Sequence, residues 1–233
     1  MTESKRGFFG WVGYLCWRVL QLGLLLLLLL LALLLTLRFV PPPTTAFMLQ
    51  SPYPVTQQWI SIEQLPPHVP LALVAAEDQR FPQHFGVDWT EVKQALQQYD
   101  DGGGLRGAST ISQQTAKNLL LWPGRSMVRK GLEAALAVSL ELIWGKKRIL
   151  EMYLNIAEFG PGIYGIEAAS QHYFAKSASK LSHNEAARLA VLLPSPRRRN
   201  PNQLTLFLQQ RVSWVEQQMR QLGAGHLKPI LED

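Results

Sequence analysis

Cysteine is almost missing from this chain: Cys16 alone occurs in 233 residues. No intrachain disulfide can form, so the fold must be stabilised by its core. Metal-ligand spacing is missing too. His68, His84, His172, His183 and His226 are scattered, with no H-x-x-x-H pair and no cysteine partner, which argues against a zinc site. There is no G-x-S-x-G, Walker or dinucleotide fingerprint, so those hydrolase and nucleotide-binding classes drop out. Strand-like alternation is weak and no internal repeat occurs. Acidic residues are outnumbered, 17 against 23 Lys and Arg, for a net charge of +6. The basic residues form no continuous stripe with interleaved aromatics, which excludes nucleic acid as the partner. Anionic lipid headgroups or a phosphorylated substrate fit the charge better.

What the chain has in excess is leucine in one place. Val19 to Leu37 is a nearly unbroken apolar run without charge or proline, including eight consecutive leucines from Leu24 to Leu31. A helix of that length just spans a hydrocarbon core of roughly 30 Å. The run is longer than a signal-peptide core and no A-x-A site follows it, so it reads as an uncleaved signal anchor. Lys5, Arg6 and Arg18 precede it and Arg38 follows it. Retention of positive charge on the cytoplasmic side predicts an inside N-terminus, with the rest of the chain outside, in an oxidising compartment.

These features divide the chain into a cytoplasmic tail (1–18), an anchor (19–37), a linker (38–70) and a domain (71–233). The linker reads as extended because of Pro41, Pro42, Pro43, Pro52, Pro54, Pro66 and Pro67. Helical composition or spacing then predicts helices over Leu71–Glu77, Val92–Gln98, Ile111–Leu121, Arg129–Trp144, Lys146–Asn155, Ile166–Phe174, Asn184–Leu193 and Leu204–Leu222. The domain is mainly α.

Four polar clusters interrupt this pattern. In the first, Glu77 and Asp78 end an apolar helix. Adjacent helical residues point about 100° apart, so one acid can enter a cleft while the other organises it. Burial at the helix edge raises a glutamate's pKa, which suits a general base. Pro82 is expected to end that helix and to place His84 and Asp88 on a loop. A solvated helix end is the plainer reading of two acids alone. In the second, Thr110 and Gln113 have the spacing of a capping box after the flexible Gly102-Gly103-Gly104. Thr110, Gln114 and Lys117 then share a helical face with Asn118 beside them. Such a start can bind phosphate, or be an ordinary capped surface helix. In the third, Arg129 and Lys130 can both meet Glu133, which alone reads as a surface ion pair. In the fourth, Lys146-Lys147-Arg148 opens a helix against its macrodipole, which suggests another duty, such as meeting an anion. The glycines after Asn155 predict a tight, buried turn.

In this order the clusters resemble the bacterial peptidoglycan glycosyltransferases. The signatures are Glu-Asp-x-x-Phe-x-x-His-x-Gly-x-Asp at 77–88, Gly-x-Ser-Thr-Ile-x-Gln-Gln-x-x-Lys-Asn at 107–118, Arg-Lys-x-x-Glu at 129–133, Lys-x-Arg-Ile-Leu-Glu-x-Tyr-Leu-Asn at 146–155 and Glu185 to Pro194. Ala108 departs from the pattern, where a second glycine is more usual. Within that family the similarity is to the monofunctional biosynthetic enzymes. The resemblance implies a lysozyme-like helical lobe and a small membrane-apposed lobe, here around Leu119–Met127 with Arg125.

It also implies the chemistry. The 4-hydroxyl of lipid II attacks the anomeric carbon of the lipid-linked strand, with inversion and loss of undecaprenyl diphosphate. Glu77 would be the base, and Glu133 the second catalytic acid, on the donor side. Lys117, Arg129 and Lys130 would neutralise the diphosphate. Asp78, Phe81, His84, Thr110, Gln114 and Asn118 would complete the substrate site. The resemblance admits a Mg2+ ion bridging diphosphate to Glu133. It sets the enzyme in the bacterial inner membrane, with lipid II, the glycan strand, membrane lipids and other wall-synthesis or division proteins as expected partners. Two alternatives stay open from the residues: a lysozyme-like lytic enzyme, and a non-catalytic wall-assembly scaffold.

Overall fold

The computed structural model describes residues 3–100, 109–124 and 126–232. Gly102–Gly104, Gly107, Ala108 and Arg125 lie outside them. The chain divides into two units, Met1–Val40 and Pro41–Asp233. The first is helix α1 (Glu3–Phe39), which takes the tail and the apolar run into one element. Its stretch Trp11–Phe39 is long and apolar enough to cross a membrane.

Within the second unit, α3 (His68–Glu77) is apolar on nearly every side. Val69 to Ala75 are all buried, so it has no solvent face and packs centrally, against α8 (His183–Ala190) and α9 (Leu206–Leu222). Its backbone bonds are internal, so it needs no polar neighbour along its length. The second packing centre is α5 (Ile111–Leu120) on α6 (Met127–Ile156). The capping box predicted at Thr110 is present: Thr110 Oγ1 accepts from the Gln113 amide and Gln113 Oε1 from the Thr110 amide, both at 3.1 Å. Such a cap contributes about 1 kcal/mol. The remaining helices are α2 (Ala46–Leu49), α4 (Trp89–Asp100), α7 (Ile166–Phe174) and the short α10 (Lys228–Leu231).

Helix α6 covers both helices predicted between Arg129 and Asn155. Gly145, at φ 74° and ψ 171°, breaks it between them. A left-handed φ of this kind is open to glycine and strained for other residues.

Three short strands form one sheet, β1 (Thr56–Gln57), β3 (Ile163–Tyr164) and β2 (Glu158–Gly160) in that spatial order. β1 runs parallel to β3, and β2 antiparallel to it. The buried glycine turn predicted after Asn155 is the β2–β3 hairpin. The proline-rich segment supplies β1, and Asn155 ties it down. The Asn155 amide donates to the Ile60 carbonyl at 2.9 Å, its oxygen accepts from the Ile60 amide at 2.8 Å, and its own carbonyl accepts from Gln57 at 2.9 Å.

Candidate active site

The two adjacent acids do separate. Glu77 is the last residue of α3, and Asp78 leaves the helix with φ −161°. The helix therefore stops four residues before Pro82, which was expected to end it. The reason is the Asp78 carboxylate, which accepts from the Ile111 amide at the head of α5 at 2.9 Å and meets His84 Nε2 at 2.9 Å. Asp78 joins the end of one helix to the start of the next.

Glu77 turns the other way, and its Oε2 accepts from Gln114 Nε2 at 2.9 Å. Gln114 Oε1 accepts in turn from the Tyr153 hydroxyl at 3.0 Å. Burial raises the Glu77 pKa. The Gln114 hydrogen bond and the charges of Arg211, Lys117 and Arg199 oppose that rise. Burial, with the nearby charges of Glu77 and Asp78, holds the Tyr153 phenol well above its ordinary value, so it remains a donor.

Two cavities lie at the two ends of the Glu77–Gln114 hydrogen bond. One, of about 360 Å³, is lined by Glu77, Asp78, Arg80, Asp88, Ser109 and Thr110 among others. The other, of about 190 Å³, is lined by Gln114, Lys117, Asn118, Tyr153, Phe47 and Tyr164 among others. A larger cavity of about 670 Å³ lies between α3, α8 and α9. Its one carboxylate, Glu216, is bonded to Asn184, so volume alone does not select the site.

The third cluster is not a surface ion pair. Arg129 and Glu133 are 8% and 3% exposed. Glu133 Oε1 accepts from Arg129 Nη1, and Oε2 from Lys130 Nζ at 3.1 Å. Lys130 Nζ also donates to Ser109 at 2.7 Å. Burial lowers the Lys117 pKa, and the charge of Arg129 lowers it further against the pull of Glu77. Lys130 is lowered by burial and then by Lys117 and Arg129. Arg129 and Lys130 thus share one carboxylate, with Lys117 near enough to repel both, which leaves a surplus of positive charge. That surplus favours binding of an anion.

Of the expected substrate contacts, Phe81 and His84 lie beneath the cleft, while Asp78 and Thr110 line it with their polar atoms engaged. Phe81 is fully buried, with the Lys146 ammonium 4.3 Å from its ring centre. The His84 side chain is 4% exposed and packs edge-on against Phe81. Thr110 is occupied by its cap and by donating to the Gly86 carbonyl at 2.6 Å. Asp78 lines the larger of the two cavities, but both its oxygens are engaged. These side chains hold the frame of the site. Asn118 lies in the smaller cavity, as expected.

The basic triplet of the fourth cluster also needs correction. Its anions are the protein's own. Lys146 meets Glu141 at 2.6 Å, Lys147 meets Glu63 at 3.3 Å and Arg148 meets Glu151 at 2.5 Å. Buried Glu141 is a hub, accepting also from Ser112 Oγ at 2.6 Å and the Gly86 amide at 3.1 Å. Tyr153, Glu141, Arg199 and Arg211 escaped the sequence reading as site components. Tyr153 stood inside a signature; Arg199 and Arg211 carry no local mark. Arg211 reaches the Ala76 carbonyl at 3.5 Å from α9.

A half-buried acid held by an amide, beside a pocket of surplus cations, is the equipment of an enzyme that moves a proton next to an anionic group. Residues 45–220 match the family described as Transglycosylase. The chain belongs to the transglycosylase family. It is 74% identical over 231 residues to a biosynthetic peptidoglycan transglycosylase of Shewanella frigidimarina (strain NCIMB 400), covering 99% of each chain. It is 66% identical over 232 residues to one of Marinomonas sp. (strain MWYL1), covering both completely. A relative of the same description in Xylella fastidiosa (strain M23) is 47% identical over 220 residues, with 90% of each chain covered.

Proposed function

We propose that this chain polymerises lipid II into peptidoglycan glycan strands for cell-wall synthesis. The observation that carries the reading is the position of Glu77, which lines an acidic cavity and is bonded to Gln114, itself beside Lys117 in a second cavity. The incoming sugar's 4-hydroxyl takes the Glu77 side and gives its proton to the carboxylate as its oxygen attacks the anomeric carbon. Burial makes Glu77 a stronger base than a solvated glutamate, while Gln114, Arg211 and Lys117 help keep it ionised. The undecaprenyl diphosphate leaves on the other side, inverting the linkage. Lys117, Arg129 and Lys130 meet the charge that develops on it. Glu133 holds Arg129 and Lys130 in place for that task.

A Mg2+ ion bridging diphosphate to Glu133 would share carboxylate oxygens that already accept from Arg129 and Lys130. A lytic enzyme would need a protonated acid beside the scissile bond and would have no lipid-linked diphosphate to occupy Lys117, Arg129 and Lys130. The orientation we assign sets α1 across the bacterial inner membrane, with the domain on its outer face. Exposed Trp122, Met127, Val128 and Leu132 suit the membrane-apposed lobe.

Glu77→Gln tests the reading. It should abolish polymer from purified lipid II, and finished glycan should be unchanged by either protein. Because ionised Glu77 is costly when buried, its stability contribution falls as pH rises from the unfolded carboxylate range through the raised folded pKa. The variant should therefore melt no lower than the parent at neutral pH. Appreciable residual polymer would remove Glu77 as the base.

A further inference from the structure

We infer that Tyr153 is a positioning residue for the base, acting through Gln114. A glutamine amide can present either its oxygen or its NH2 group to a neighbour. Only the NH2 group supports a carboxylate. The Tyr153 hydroxyl supports that orientation from the far end of the amide. It donates to Gln114 Oε1 at 3.0 Å, so the amide nitrogen points to Glu77 Oε2 at 2.9 Å.

Both ends of the relay are held firmly. Tyr153 is 1% exposed and lies on the second half of α6, among buried Met152, Leu154 and Asn155. Gln114 lies in α5, one turn after the Thr110 cap. The phenol has no accessible route to ionisation, because burial and two nearby carboxylates oppose it. It therefore keeps its proton, which stays available to Gln114 Oε1. The relay also links the two cavities, with Glu77 lining one and Tyr153 the other. A shift of the amide would displace the acid from the place where the attacking hydroxyl must lie.

Removing the hydroxyl alone leaves the ring in place. Gln114 Oε1 then loses its partner, and the amide is free to rotate out of register with Glu77. The Glu77 carboxylate loses part of the hydrogen bond that opposes its rise in pKa. In Tyr153→Phe the proton on Glu77 should be held to a higher pH, with a rise of about half to one unit. Activity that needs ionised Glu77 should lose its acid limb by the same amount and recover toward parental turnover at higher pH. The KM for lipid II should change little, because the ring keeps its packing.

This inference rests on Glu77 as the base, so the experiment separates the two. The full chain, in detergent, carries a carbon-13 label in its glutamate carboxyls, with Glu77→Gln identifying the Glu77 signal. The signal is titrated in the parent and in Tyr153→Phe, beside pH profiles of lipid II polymerisation. A Glu77 titration displaced upward, with the acid limb moving in step, is the expected result. An unmoved titration in a variant that melts like the parent overturns the relay. A displaced titration with an unmoved acid limb would keep the relay and overturn Glu77 as the base. Tyr153→Leu, which removes ring and hydroxyl together, guards against a purely structural effect. It should show the same upward displacement of the Glu77 titration with an added loss of turnover at every pH, and an undisplaced Glu77 titration in it would overturn the hydroxyl's role.

Discussion

Gly86 lies on a loop remote from both acids' functional oxygens, yet replacing it with alanine should damage the site. Its φ is +71°, and a Cβ there would approach the Val138 nitrogen to 2.9 Å and the Ala137 carbonyl carbon to 3.1 Å. The left-handed conformation costs an alanine about 1–2 kcal/mol. The clash is with helix backbone, which cannot rotate away, so the loop must move. Movement weakens two bonds: the Gly86 amide to Glu141 at 3.1 Å, and Thr110 Oγ1 to the Gly86 carbonyl at 2.6 Å. The first involves a charged acceptor, and together they bring the loss to about 3–4 kcal/mol. For a domain of this size, that lowers the melting temperature by about 6–16 °C. Thr110 starts α5, which carries Gln114 and Lys117, so the displacement reaches the chemistry. A misplacement of about 1 Å can cost on the order of a hundredfold in rate. Melting of the full chain in detergent and lipid II polymerisation well below the melting point check both effects. Parental activity with a melting point within about 2 °C would show that the loop yields freely and that the reasoning is wrong.

Glu133→Gln should destabilise the domain by about 3 kcal/mol, because it strands the buried Arg129 beside Lys117 and Lys130. Added pyrophosphate should restore more of the lost melting temperature in this variant than it adds to the parent; equal shifts in the two would separate Glu133 from the anion site. A reporter active only outside the cytoplasm, fused after Asp233, should be active if α1 is oriented as proposed. An inactive reporter on an inserted, folded protein would reverse that orientation.

Local chemistry made much of the helical frame readable. The predicted helix at Ile166–Phe174 has the observed bounds, and the one at Ile111 starts at its capping box. The two helices predicted on either side of Gly145 correspond to the two halves of α6, which breaks there. Less was readable where partners are distant. β1 is two residues long, too short to show alternation, and pairs with β3 across more than a hundred residues. The Arg129–Glu133 pair has the spacing of an exposed one, and only the packing of α5 on α6 buries it. Glu77 and Asp78 are neighbours of the same charge. Which one enters the cleft is decided by the Ile111 amide and by Gln114, more than thirty residues away in sequence. The same limit applies to Lys146, whose anion is a buried carboxylate five residues back and not a ligand.

The break at Gly145 has a consequence for the spacing of the whole site. On an unbroken helix, Lys130 and Tyr153 would be about 34 Å apart along the axis, at about 1.5 Å per residue. Yet Lys130 bonds to Ser109 and Tyr153 to Gln114, positions only five residues apart at the start of α5. No straight rod can touch both. The two arms of α6 act as the jaws of a caliper, with Gly145 as its pivot and the first turns of α5 as the object gripped. The distance between the group that takes a proton and the groups that receive a leaving anion is therefore gauged by one pair of backbone angles, at a residue that touches neither.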